Sequence, residues 1–429
     1  MEEHSKNRSL ELILFLALAI VASLLVFDKM IIFSVVVLVA IVVFLLAEGY
    51  KIPVNDRSIM WKLALGAFLL RLLLIIVTLM FENPLMTDDA MAYGRVGNEI
   101  ARAWQDGDSY IIGKNNYGYY YFNALIFYAT GYYPDVVRLI NSIIAIGAAL
   151  NLYFISLRLS GSKAAKFTFA LAAYFPSFIV WSALNLKESL IIFFITYIVK
   201  NAMELMQKFQ VSKVIIIVLA LLPIVAFRFY MGILLGIVIA LAFMFSAYNF
   251  KWYKRLFYGL LLLLMVGVSL QHMGYGFLGM DYLITQSLET IEEQHNVAAS
   301  GGSAYAEEVD FSSPAKALIY LPVGLFYFIF GPLPWQPGGI LKMLSTPEMF
   351  ALYFLYLFIV PGILSLWRHR RSECLFLLII ISSITLIYAM GGSNMGGIYR
   401  VRFQVLSLVF LLVSHGMVGK KLAKWSRSG

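Results

Sequence analysis

The chain has 429 residues, of which 61% are hydrophobic and only 13% charged. A soluble domain has roughly 45–50% apolar and about 25% charged residues, so this composition excludes an ordinary soluble fold. Apolar runs of about 20 residues recur along the sequence without the short alternation of β-barrel strands, which predicts an all-α polytopic transmembrane bundle. The net charge of +9 lies mostly in short loops between apolar runs, where it sets topology and does not point to nucleic acid. The single cysteine, Cys374, rules out an internal disulfide and a thiolate cluster.

Residues 10–27 and 31–47 read as a helical hairpin after a cytoplasmic N-terminus bearing Lys6 and Arg8. No small-residue cleavage site follows 10–27, so we read it as a span and not a signal peptide. Lys51, Arg57 and Lys62 bring the chain back to the cytoplasm, and 61–81 then crosses outward. This charge count places Asp88 and Asp89 on the extracytoplasmic side. Residues 89–106 suit a surface helix with an apolar stripe of Ala92, Val96, Ile100, Ala103 and Trp104, and Asp89 could cap its start. The first outer loop, 82–133, ends in a segment dense in Tyr and Phe that suits the membrane interface or stacking on sugar rings.

Eight further spans follow from the same count: 136–157, 167–184, 190–203, 214–227, 231–245, 256–270, 349–366 and 375–390. A last one, 403–418, returns to a cytoplasmic tail rich in lysine. The total is about twelve. The acidic stretch 271–314 falls outside, and 315–330, with Pro322 and Gly324, reads as a broken re-entrant or interfacial helix. The chain thus divides into an N-terminal hairpin region (1–60), a transmembrane module (61–270), the acidic loop (271–314) and a C-terminal transmembrane region (315–429).

Several charged residues gather at the outer ends of spans: Asp88, Asp89, Lys187, Glu188, Arg228, Arg400 and Arg402. Cations normally concentrate on the cytoplasmic side, so outer cations call for an anionic partner. That partner is one of the carboxylates or a phosphate, to which the arginine fork is well matched. Each has a plain alternative: snorkelling for Arg228, and a helix-terminal pair of little worth for Lys187 and Glu188. The glycine-rich run 391–397 reads as an outer loop able to approach an anion closely. In such a site a carboxylate, Asp88 or Asp89, orients or deprotonates an acceptor hydroxyl while the cations hold a departing phosphate.

Four features make the sequence resemble the GT-C superfamily of integral-membrane glycosyltransferases, which includes protein O-mannosyltransferases and aminoarabinose transferases. They are Asp88-Asp89 after an outward span, Arg138-Leu139-Ile140-Asn141 and Leu152–Ser162 as a second span and basic cytoplasmic turn, Phe175-Pro176 through Asn185-Leu186-Lys187-Glu188, and Asn394-Met395-Gly396 followed by Tyr399-Arg400-Val401-Arg402. The likeness is best over residues 61–204, and the chain departs from it in the extra N-terminal hairpin and in lacking a large soluble C-terminal domain. The resemblance implies inverting transfer of a sugar from a polyprenyl-phosphate donor to a glycan or lipid acceptor at the outer face of the cell membrane. The acidic pair would be the base, and Lys187, Arg228, Arg400 and Arg402 would hold the donor phosphate. Tyr93, Glu188, Asn394 and Tyr399 would contact substrate. It implies no obligatory metal, although some members use a divalent cation. Two other readings stand: a polysaccharide polymerase or ligase acting on lipid-linked glycans, and a transporter or flippase, which Arg71 within 61–81 would suit.

Overall fold

The computed structural model describes residues 49–81, 87–108, 117–246, 250–272, 313–335, 340–391 and 395–425. The predicted N-terminal hairpin, nearly all of the acidic loop and Asn394 lie outside the described residues. Among the described residues the structure is helical and has no strand.

Each described apolar run forms a helix. The first half of the chain comprises α1 (Val54–Met80), α2 (Asp88–Gln105), α3 (Gly118–Thr130), α4 (Pro134–Ser160), α5 (Ser162–Tyr174), α6 (Pro176–Ser182), α7 (Glu188–Leu205), α8 (Val211–Phe227) and α9 (Phe229–Ser246). The remainder comprises α10 (Trp252–His272), α11 (Pro314–Phe330), α12 (Ile340–Tyr356), α13 (Ile359–His369), α14 (Arg371–Gly391) and α15 (Met395–Trp425). Five segments are long and apolar enough to cross a membrane: α1, α4, Ser345–His369, Arg371–Met390 and Met395–Val418. The bent pair α5–α6 makes a sixth if it counts as one span. At about 1.5 Å per residue, the 27 residues of α1 and of α4 reach beyond a hydrocarbon core of about 30 Å.

Burial distinguishes centre from rim. Only 17% of the apolar window of α1 is buried, against 83% of that of α15, which packs on α4, α5, α7, α13 and α14. The outward face of α1, with Leu69, Leu73, Ile76 and Met80 exposed, suits lipid. Pro322 does not break α11, which runs unbroken through it, so the expected break is absent. Gly324 lets α11 meet α14, since a Cβ there would lie 2.1 Å from the Ala389 carbonyl oxygen.

The α5–α6 pair is bent by 52° at Phe175–Pro176, because proline removes a donor and clashes with the preceding turn. Arg71, fully buried on α1, staples the bend: it donates to Ser182 Oγ (2.7 Å) and to the carbonyls of Ala67 (2.9 Å), Ala173 (2.8 Å) and Phe178 (3.4 Å). The mid-span cation that suits a transporter is here committed to satisfying carbonyls at the bend. Replacing Arg71 by Met strips the Ala173 carbonyl of this donor, while the Phe178 carbonyl keeps the Ser182 hydroxyl, and is expected to cost about 1–3 kcal/mol. The buried Cys374 reports this: its thiol reacts with a dye at a lower temperature in the variant, whereas coincident reactivity curves would show that the carbonyl finds another donor.

Candidate functional site

The α6–α7 connector, the α8–α9 break, the end of α14 and the start of α15 meet at one end of the bundle, and α2, packed on α3, reaches them through Asp89. Helix α2 begins at Asp88, and its N-cap is Thr87, whose hydroxyl accepts from Ala90 N at 3.2 Å. The expected capping role of Asp89 therefore falls to Thr87, and both aspartates are exposed in the first turn. The fully buried residues of α2 are Ala90, Tyr93, Gly94, Gly97, Ile100 and Ala101; of the stripe expected from sequence, Ile100 is among them and Val96 and Trp104 pack half-buried beside them. The glycines decide this: a Cβ on Gly97 would lie 2.6 Å from that of Asn123, so α2 meets α3 along its small residues. Tyr93 packs edge-on against Tyr119, with ring centroids 4.7 Å apart.

The connector 183–187 between α6 and α7 aims the next two charges, and side chains hold its backbone. Arg138 Nε donates to the Ala183 carbonyl at 2.8 Å. Asn141 Nδ2 donates to the carbonyls of Leu184 and Leu186, both at 3.0 Å. Asn185 accepts from the Tyr119 hydroxyl and donates to Asn123 Oδ1, each at 2.8 Å. Lys187 and Glu188 thus sit at the start of α7 as buried groups, and the helix dipole favours the carboxylate there.

Glu188 Oε1 lies between two arginines. Arg228 Nη2, at the break between α8 and α9, donates to it at 3.3 Å. Arg400 Nε lies 3.2 Å away, close enough for charge pairing but too bent for a hydrogen bond. Glu188 Oε2 has no hydrogen-bond partner among the described residues. Arg400 Nη1 donates to Asp89 Oδ2 at 2.6 Å. Arg228 Nη1 also donates to the Tyr388 hydroxyl (3.1 Å), which donates to Gln404 Oε1 (2.6 Å). The Lys187 ammonium lies over the Tyr93 ring, 5.8 Å from its centroid. The structure therefore brings Asp89, Tyr93, Lys187, Glu188, Arg228 and Arg400 together. Glu188 does not pair with its neighbour Lys187, and Arg228 is buried and paired rather than snorkelling.

Arg402 stands apart. The run 391–397 is not simply a loop, because its last three residues form the first turn of α15 and the arginines lie within that helix. Two residues along a helix differ by about 200°, so Arg400 and Arg402 face opposite ways. Arg402 donates to the Tyr327 carbonyl at 3.2 Å and touches Met349 Sδ at 3.2 Å. Tyr399, one residue before Arg400, also faces away from the cluster: its hydroxyl donates to the buried Glu348.

A cavity of about 710 Å³ opens on the other side of the first turn of α2. Asp88, Arg95, Asp135, Arg138, Tyr132 and Asn185 are among its lining residues. Asp88 makes no ion pair with a described residue. The two aspartates thus point into different surroundings, Asp88 to the cavity and Asp89 to the cations. Sequence reasoning missed Tyr388, Gln404 and Glu348, and did not see that Arg138, Asn141, Asn123 and Tyr119 hold the connector. The available signal was polar residues at helical spacing inside apolar helices, such as Arg138, Asn141 and Ser142 on α4.

No model of a protein family matches the chain, and a search of curated proteins gave no match.

Three cations against two carboxylates leave the cluster with one net positive charge, held mostly out of water. Burial, and then the charge of Arg228, push the Lys187 ammonium down to about 8. The lysine is therefore charged below that pH, and the cluster becomes neutral above it. Affinity for a small anion of fixed charge such as sulfate is expected to fall as pH rises through about 8 in the unaltered protein. Lys187→Arg, charged throughout, is expected to flatten this titration, and a drop at the same pH in Lys187→Arg would assign it to another group.

Proposed function

We propose that the protein is a membrane glycosyltransferase that moves a sugar from a polyprenyl-phosphate donor to a glycan or lipid acceptor, with inversion. The observation that carries the reading is the cluster of Lys187, Arg228, Arg400, Glu188 and Asp89, buried at Glu188 and Arg228 and open at Asp89, with its net positive charge, beside a second carboxylate that faces a cavity. Such a cluster suits an anionic leaving group, and a carboxylate next to it suits a base. In line with the GT-C resemblance, we propose that the site lies at the extracytoplasmic face of the cell membrane, in a bundle of about twelve spans with both termini cytoplasmic.

In this reading Asp88 is the base. Asp89 Oδ2 is already engaged by Arg400, whereas Asp88 faces the cavity and makes no ion pair with a described residue. Asp88 takes the proton of the acceptor hydroxyl, the oxygen forms a bond to the anomeric carbon, and the bond from that carbon to the phosphate oxygen breaks. The polyprenyl phosphate leaves with the electron pair, and Arg400, Arg228 and Lys187 stabilise the charge that it gains. These cations supply the neutralisation for which a divalent cation would otherwise serve, so the reaction is proposed without an obligatory metal. Arg402 and Tyr399 position the start of α15 and do not touch phosphate.

The test is sugar transfer by the full-length protein in proteoliposomes, with undecaprenyl-phosphate sugars as donors. Asp88→Asn is expected to lower turnover about a hundredfold or more, and Arg400→Gln to lower it and weaken donor binding. Polymerisation or ligation of a diphosphate-linked oligosaccharide, with no use of monophosphate donors, would overturn the proposal in favour of a polymerase or ligase.

A further inference from the structure

The two carboxylates of the cluster are held very differently. The Glu188 side chain is 1% exposed and sits between Arg228 and Arg400 on a clasped connector. The Asp89 side chain is 49% exposed and is tied to the cluster by one pair, with Arg400 Nη1. The start of α2 does not need it, since Thr87 makes the cap. Asp89 can therefore swing away from Arg400 without unwinding a helix or stranding a buried group. Glu188 cannot, because its departure would leave the buried Arg228 without a carboxylate.

The charge of the site depends on where Asp89 is. With Asp89 on Arg400 the cluster carries one net positive charge, and with Asp89 swung out the three cations face Glu188 alone and carry two. A sugar joined to lipid through a phosphodiester bears one negative charge. The phosphomonoester released from it bears up to two, its second ionisation lying near pH 6. The two positions of Asp89 thus neutralise the phosphate before and after transfer.

We propose that Asp89 is a tethered counter-ion that holds Arg400 while the bound phosphate is singly charged and yields it as the phosphate becomes doubly charged. This rests on the proposed anion site. A guanidinium that reaches the phosphate only as charge develops favours the later state over the earlier one, which is the condition for accelerating the step. When Asp89 returns to Arg400 it competes with the dianionic product and helps to eject it. Asp89 thereby sets the preference of the site between phosphomonoesters and phosphodiesters.

The experiment is equilibrium binding to the full-length protein in detergent at pH 7.5. The probes are farnesyl phosphate, its methyl ester as the singly charged counterpart, and inorganic phosphate to separate the headgroup from the lipid chain. Asp89→Asn is expected to tighten farnesyl phosphate about tenfold, the scale of releasing one charge-paired competitor. The methyl ester should change by less than about threefold. Inorganic phosphate should gain by the same factor as farnesyl phosphate, though from a weaker start. Asp89→Ala should behave like Asp89→Asn, adding Arg400→Gln should cancel the gain, and a shielded Cys374 shows that each variant is folded. Equal gains for the mono- and diester, or weaker binding of farnesyl phosphate, would overturn the counter-ion role and leave the anion site standing. No binding of any probe by any variant would overturn both.

Discussion

One carboxylate oxygen, Glu188 Oε1, lies between the guanidinium groups of Arg228 and Arg400 and is almost wholly removed from water. Each of these three residues comes from a different part of the chain: the start of α7, the break after α8 and the first turns of α15. Without that carboxylate, the buried Arg228 and the partly buried Arg400 would repel each other and hold the helix ends apart. With it, the ends of α7, α8 and α15 are drawn to one point, and α2 is tied over them through Asp89. The rest of the site follows from how the protein delivers Glu188 to that point.

The delivery begins with a proline. Pro176 bends the α5–α6 pair, Arg71 accepts the structural cost of the bend by satisfying its carbonyls, and the short α6 ends early. Its connector is then fastened by donors on α4 and α3, so that α7 starts inside the bundle and not on its surface. The chain of dependence runs from Arg71 through the bend to Glu188, although Arg71 makes no contact with the cluster.

Much of the helical architecture is legible in the sequence, because a run of apolar residues of the length of α1 or α4 has few ways to satisfy its backbone in lipid. The gathering of Asp89, Lys187, Glu188, Arg228 and Arg400 at one end was legible for a related reason: counting helix ends assigns each charge to a side. What counting cannot give is direction. Arg400 and Arg402 look equivalent two residues apart, and they diverge because α15 starts earlier than the glycines suggest. Asp88 and Asp89 differ in surroundings because consecutive helical residues are rotated by about 100°. Glu348 sits at the edge of an apolar run where it reads as loop, and only tertiary packing on Tyr399 buries it. The buried line of α2 has the same origin, since Gly97 brings its backbone close to α3 and leaves Val96 and Trp104 half-buried beside that line.

The unequal exposure of the two carboxylates has a consequence for ionic strength. Mobile ions screen charges that share their solvent, over a Debye length of about 8 Å in physiological salt, and screen buried pairs far less. The Glu188 pairs, with side chains of 7% and 1% exposure on Arg228 and Glu188, are shielded from that atmosphere, while Asp89 stands half within it. Added salt therefore loosens the outer half of the cluster before the inner half, and dissolved electrolyte and the bound headgroup act on the same hinge of charge from opposite sides.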